Sequence, residues 1–150
     1  MRRFLLLAGL AAALVWTTQA PARAGCTAGW RTANGIAYLT WCGPARATLH
    51  LGGKTYAFSG GRCYRGAGAF AINLGSVTRP PNKRKLLYFG ITVFAPHDGT
   101  FRNQGVAWQF SNGGRGSLDA TIKLAGGRTK GTFAGATLAG VKGSGTFSCS

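Results

Sequence analysis

Few residues of this chain have side chains suited to acid–base or metal chemistry. Its 150 residues include only two acids and two histidines, namely Asp98, Asp119, His50 and His97. General acid–base catalysis needs a base within hydrogen-bond reach of its partner, and only His97 and Asp98 are neighbours in sequence. Because they follow Pro96 at a predicted turn, we expect Asp98 to make the hydrogen bond of that turn.

The sequence also lacks other catalytic and ligand-binding motifs. No serine lies in a Gly-x-Ser-x-Gly elbow, and no Cys-x-x-Cys pair accompanies the two histidines. Gly66-Ala67-Gly68 is not followed by a helical pattern that would aim amides at a phosphate. We therefore predict no catalytic residues, no cofactor and no metal site. The enzymatic alternative is a small hydrolase that uses Asp98 with a histidine.

Basic residues give a stronger indication of function. Lys and Arg number 18 against 2 acids, a formal charge of +16, which favours anionic partners such as polysaccharide, lipid head groups or nucleic acid. Arginines beside aromatic rings can hold phosphates or sugars. Two such groups occur, one beside Tyr88 and Phe89 and one around Tyr64. The candidate anion-binding residues are Arg62, Arg65, Arg79, Lys83, Arg84 and Lys85. The alternative is a solvated basic loop that protects a strand edge from aggregation.

The first 24 residues have the layout of a secretory signal peptide. Two arginines precede an apolar run at 4–16, and Ala22-Arg23-Ala24 supplies small residues for cleavage. The run is shorter than the roughly 20 residues of a transmembrane helix. We predict a signal peptide over 1–24 and one secreted, periplasmic or cell-surface domain over 25–150. That domain keeps 15 basic and 2 acidic residues, a formal charge of +13.

Four cysteines in an exported domain predict two disulfides, with three possible connectivities. We predict Cys26–Cys42 as a short loop and Cys63–Cys149 as a long one. Cys26 directly follows the cleavage region, so lipid attachment there is an alternative. Arg23 occupies the place where a lipoprotein signal normally has an apolar residue, which favours ordinary cleavage after Ala24.

Beyond the signal, short alternating runs separated by glycine predict an all-β domain, an antiparallel sandwich or barrel. These runs are 36–42, 47–51, 54–60, 69–75, 85–94, 105–110, 117–124, 130–135 and 144–149. Residues 76–85, with two prolines, are expected to form a loop. Trp30, Trp41 and Trp108 are candidates for the core. In the glycine-rich end of the chain, both copies of Gly-Thr-Phe (131–133 and 145–147) fit a strand that turns Phe and Thr to opposite faces.

Two stretches resemble a known family. The first, LGGKTYAFSGGRCYRGAGAFAINLGS at 51–76, places a Gly-Lys turn before Cys63 and an Asn-Leu-Gly strand after it. The second, at 116–135 together with GTFSCS, ends in a strand with Cys149. Both resemble the small surface lipoprotein antigens of mycobacteria. The resemblance implies an all-β envelope domain in which Cys63 and Cys149 form a pair, and it supplies no catalytic residues. The lipid box, Cys26, Cys42 and the high charge depart from that family.

These features predict an exported, non-enzymatic domain that binds an anionic envelope polymer or partner. The alternative is a structural or antigenic surface protein without a dedicated ligand.

Overall fold

The computed structural model describes residues 25–66, 68–79 and 86–150. The predicted signal peptide and residues 80–85 lie outside this part of the chain. The strands, in chain order, are β1 (Gly29–Ala33), β2 (Ile36–Trp41), β3 (Ala45–Leu51), β4 (Lys54–Gly66), β5 (Ala69–Arg79), β6 (Tyr88–Val93), β7 (Gly99–Gln109), β8 (Arg115–Ala125), β9 (Lys130–Ala136) and β10 (Lys142–Ser148).

The strands from β3 to β10 form a closed antiparallel barrel of eight strands. Each pairs with the next one in sequence, and β10 returns to pair with β3. The β1–β2 hairpin lies outside this ring and pairs with the last part of β5, from Gly75 to Arg79. The prediction of an all-β antiparallel domain is confirmed, and of the two architectures considered the barrel is the one formed.

Every second residue of the barrel strands points inward, because side chains alternate between the two faces of a strand. An eight-stranded barrel has an interior just wide enough for side chains to fill. Here aromatic and branched residues form one buried cluster, and its large members include Leu49, Phe58, Phe70, Ile72, Leu74, Phe89, Ile91, Trp108, Leu118, Ile122, Phe133 and Phe147. The barrel is therefore a packed core that holds its own side chains.

The two Gly-Thr-Phe copies lie opposite each other on β9 and β10. Phe133 pairs with Gly145, Phe147 pairs with Gly131, and the two threonines pair with each other. A Cβ built on Gly145 would lie only 2.5 Å from Cζ of Phe133, and one on Gly131 would meet Cζ of Phe147. Each glycine thus leaves room for the ring of the opposite copy, and the repeat fills the core reciprocally. The predicted facing of Phe and Thr is confirmed.

Two disulfides are present, with the predicted pairing. Cys26 bonds to Cys42, and Cys63 on β4 bonds to Cys149 just after β10. The first ties the segment before β1 to the end of β2. The second joins β4 to the end of β10, which lie on either side of β3, and packs against the core. A sulfur in a disulfide cannot carry a thioether-linked lipid, so the disulfide and lipid attachment at Cys26 exclude each other.

Three local predictions differ from the structure. Residues 76–79 continue β5 instead of forming a loop, because the β1–β2 hairpin gives them a pairing partner. The strand at Gly29–Ala33 was not predicted, since its GWRTA sequence does not alternate clearly. Trp30 on that strand is 54% exposed, whereas Trp108 is buried as expected. Within the described ranges, no helix has the length and hydropathy needed to cross a membrane.

Candidate functional site

The structure separates the two arginines that flank Tyr64. Arg62 pairs with Asn73 and Arg65 pairs with Phe70, so the odd spacing of three residues places them on opposite faces of β4. Arg62 is on the outside of the barrel. Arg65 lies at the barrel end, where its Nη1 donates to the Gly127 carbonyl at 3.4 Å.

Arg79 lies far from both arginines. It ends β5, six residues beyond Asn73, which corresponds to about 20 Å of extended strand. The structure therefore does not bring Arg62 and Arg65 next to Arg79. Lys83, Arg84 and Lys85 lie outside the described residues, and their role in anion binding stays a prediction.

The aromatic residues beside the basic segment have structural contacts. Phe89 is fully buried in the barrel core. Tyr88 points outward, donates from its hydroxyl to Oδ1 of Asn73 at 2.9 Å, and its ring lies 5.5 Å from that of Trp41. Burial raises the pKa of the Tyr88 hydroxyl. Tyr64, by contrast, is 64% exposed.

Asp98 has a structural role that sequence reasoning assigned to the wrong turn. Its carboxylate accepts from the backbone N–H groups of Gly127 (2.9 Å) and Arg128 (2.6 Å), in the turn between β8 and β9. These bonds, together with the nearby cations, lower the pKa of Asp98. The carboxylate bonds to this distant turn because the turn's amides converge on it: Gly126, Gly127 and Arg128 all have positive φ.

Arg128 continues this connection into the barrel end. Its Nη1 donates to the carbonyls of Ala95 at 2.8 Å and Ala69 at 3.2 Å. The β8–β9 turn is thereby joined to the chain after β6 and to the start of β5. Asp98 and Arg128 together fix three connections at one end of the barrel.

The two histidines bond to groups other than carboxylates. Nδ1 of His50 lies 2.9 Å from the Thr55 hydroxyl across the β3–β4 hairpin, and Nδ1 of His97 lies 2.7 Å from the Asp98 backbone carbonyl. Asp119 is exposed on β8. Among the described residues, neither imidazole makes a hydrogen bond to a carboxylate, and no three potential metal ligands come together.

A different surface lies on the outside of β3, β10, β9, β8 and β7, and we call it the hydroxyl face. It consists of two neighbouring rows of outward-facing residues that cross the strands. The rows are Thr146, Thr132, Lys123 and Thr100, and His50, Ser144, Ala134 and Thr121. All eight residues are exposed, and they line a shallow depression of about 430 Å³.

A second open depression, of about 620 Å³, continues from the first at His50, Ala134 and Ser144. It extends to Lys142, Ala136 and the Gly52–Gly53 turn. The small side chains along the middle make this part of the barrel wall concave, and lysines lie towards both ends. No acidic side chain lines either depression, although Asp119 pairs with Ala136 just beyond the edge.

Sequence reasoning did not identify this face. It predicted that Thr132 and Thr146 point away from the core, which was the available signal. Grouping these threonines with Lys123, His50 and Ser144 requires knowing which strands are neighbours in the sheet. The order of the strands depends on the closed topology.

Comparisons with known proteins give no further assignment: no protein-family model matches the chain, and no curated protein or solved structure does so either.

Proposed function

We propose that the protein is an exported, non-enzymatic domain that binds an anionic polymer of the cell envelope. The observation that carries this proposal is the placement of its charges. Ten of the eleven described basic side chains are exposed, and the eleventh, Arg128, is half-buried. The eleven are Arg31, Arg46, Lys54, Arg62, Arg65, Arg102, Arg115, Lys123, Arg128, Lys130 and Lys142.

The acids do little to offset this charge. The sequence has only two acids against 18 basic residues. A surface with this imbalance attracts polyanions and repels polycations. Basic residues in the segment 80–85 would add to the same attraction.

Two disulfides support an oxidising location, outside the cytoplasm. Together with the predicted signal peptide, they favour a secreted, periplasmic or cell-surface protein. We propose a chain without a lipid anchor, since Cys26 is bonded to Cys42. The resemblance to mycobacterial surface antigens is in keeping with such a location and stays a prediction.

The filled barrel supports the second candidate function, a structural or antigenic surface protein with no dedicated ligand. In the interior, the ring of Phe89 lies against those of Phe58 and Phe133, and the three occupy the space in which some barrels hold a small molecule. A ligand of this protein would therefore bind to the outer surface.

Salt-dependent retention distinguishes the two functions. We expect the mature chain to be retained on an anionic polysaccharide matrix at about 50 mM salt and to elute as salt screens the charges. The control matrix is the same polysaccharide with its acidic groups neutralised. Lys83→Glu with Arg84→Glu should elute at lower salt. Equal passage through both matrices would contradict the proposal and favour the structural role.

A further inference from the structure

We propose that the hydroxyl face is a binding site for an anionic polysaccharide, an inference that rests on the proposed function and gives it a location. The site is the concavity formed by the two rows across β3, β10, β9, β8 and β7. Its continuation towards Lys142 lengthens it along the strands. Of the cations predicted from the sequence, Arg62 and Arg65 have described side chains, and neither lines this site.

The register fixes the spacing of its polar groups. Thr146 pairs with Thr132, Thr132 with Lys123, and Lys123 with Thr100. Neighbouring strands are about 4.8 Å apart, so this row presents three hydroxyls and one ammonium over about 14 Å. Sugar hydroxyls could bond to such a row at successive positions.

Two lysines stand at opposite ends of the concavity. Lys123 pairs with Thr132 on β9, and Lys142 pairs with Ala136 on the same strand. Four residues along β9 and two strand spacings across it place their Cα atoms about 16 Å apart. A short oligosaccharide can bridge them and place an acidic group at each ammonium, with its sugar rings over Ala134 and Ser144.

The lining selects a polysaccharide over other polyanions. Binding of single-stranded nucleic acid relies on exposed aromatic rings for base stacking. At this site the Phe133 ring lies in the core and is 2% exposed, and the exposed imidazole of His50 is bonded through Nδ1 to the Thr55 hydroxyl. Insertion into a lipid surface requires large exposed apolar side chains. The nearest ones, Leu138 and Val141 in the β9–β10 turn, do not line the site. Apart from His50, Leu51 and the buried Phe133, the residues that line the site with the lysines are threonine, serine, alanine and glycine, which suit a hydroxylated chain.

Paired variants test the location. Lys123→Ala with Lys142→Ala should weaken binding of oligogalacturonate or sulfated oligosaccharide at about 150 mM salt by about tenfold. The control, Arg31→Ala with Arg115→Ala, removes the same charge from exposed positions that do not line the site and should change affinity by less than about twofold. Equal weakening by both pairs would overturn the site and leave the proposed function intact. Absence of binding by the unaltered chain would contradict both.

Hydroxyl removal separates this site from general charge attraction. Thr132→Val with Thr146→Val keeps the shape and charge of the site. It should weaken oligosaccharide binding about fivefold or more, because the sugar groups bonded to the two threonine hydroxyls lose these partners. Unfolding midpoints equal to that of the parent would confirm intact variants. Unchanged affinity of a folded Val variant would overturn the site. So would single-stranded DNA or anionic vesicles binding at this face more tightly than the oligosaccharides.

Discussion

Gly145→Ala is expected to be severely destabilising, although it adds a single methyl group. A Cβ at this position would lie 2.5 Å from Cζ of Phe133 and would overlap the Thr48 carbonyl oxygen more closely still. Ordinary contact begins near 3.4 Å, so the ring would have to move by about 1 Å in a packed core. Because the carbonyl belongs to the adjacent strand, β10 and β3 would also have to separate.

Overpacking of a core typically costs about 1–3 kcal/mol. With a ring and a backbone carbonyl both in the way, we expect a loss of about 3 kcal/mol in the free energy of unfolding. In a domain of this size that corresponds to roughly 6–12 °C in melting temperature. Guanidinium unfolding followed by tryptophan fluorescence, with the disulfides intact, would measure it.

Gly105→Ala is the matched control. Gly105 lies on β7, with no atom within 4 Å of a built Cβ and no positive φ. The same methyl group should there change stability by no more than about 1 kcal/mol, in the stabilising direction, through the unfolded chain. If Gly145→Ala and Gly105→Ala unfolded within about 1 kcal/mol of each other, the reciprocal packing of the two Gly-Thr-Phe copies would be refuted.

The disulfides and Asp98 give two further predictions. Cys63→Ala with Cys149→Ala opens a loop with a sequence separation of 86 residues and should lower the free energy of unfolding by about 4.5 kcal/mol. Cys26→Ala with Cys42→Ala opens a separation of 16 and should lower it by about 3 kcal/mol. Equal losses in denaturant unfolding would argue against the chain-entropy account. The lowered pKa of Asp98 means that its contribution to stability is complete above the pH at which the unfolded carboxyl titrates, about 3.9, and is lost as pH falls through the folded value. Asp98→Asn should therefore make the fall in melting temperature below about pH 4 less steep, whereas Asp119→Asn should leave that fall unchanged. A parallel fall in the parent and both variants would show that the turn does not depend on the Asp98 carboxylate.

The strands were predictable where local alternation and glycine turns mark them. Both Gly-Thr-Phe copies, and the strands on either side of the glycine pair at 52–53, were predicted correctly, because a period of two and a tight turn are visible in a short segment. The closed barrel was not predictable, since closure requires β10 to pair with β3 about 100 residues earlier. A sandwich and a barrel share the same local signals.

The residues of the candidate sites were likewise predictable only as far as local sequence determines which side chains lie together. Arg62 and Arg65 were grouped by proximity in sequence, but residues 61–66 are strand, and an offset of three turns their side chains to opposite faces. The hydroxyl face, by contrast, brings together residues that are distant in sequence. His50 and Ser144 are far apart in the chain and adjacent across β3 and β10, so only the topology brings them together.

The junction between β3 and β10 has a consequence for how the domain folds. Seven of the eight barrel pairings join strands that follow each other, and such hairpins close small loops. The remaining pairing must bring together segments that are distant in the chain, and we expect this entropic cost to make it the last pairing to form. While that pairing is absent, the edges of β3 and β10 would lack a partner strand, and we expect β10 of one molecule to be able to pair with β3 of another. The Cys63–Cys149 bond spans this junction, so its oxidation while molecules are dilute favours the monomer over a strand-exchanged dimer.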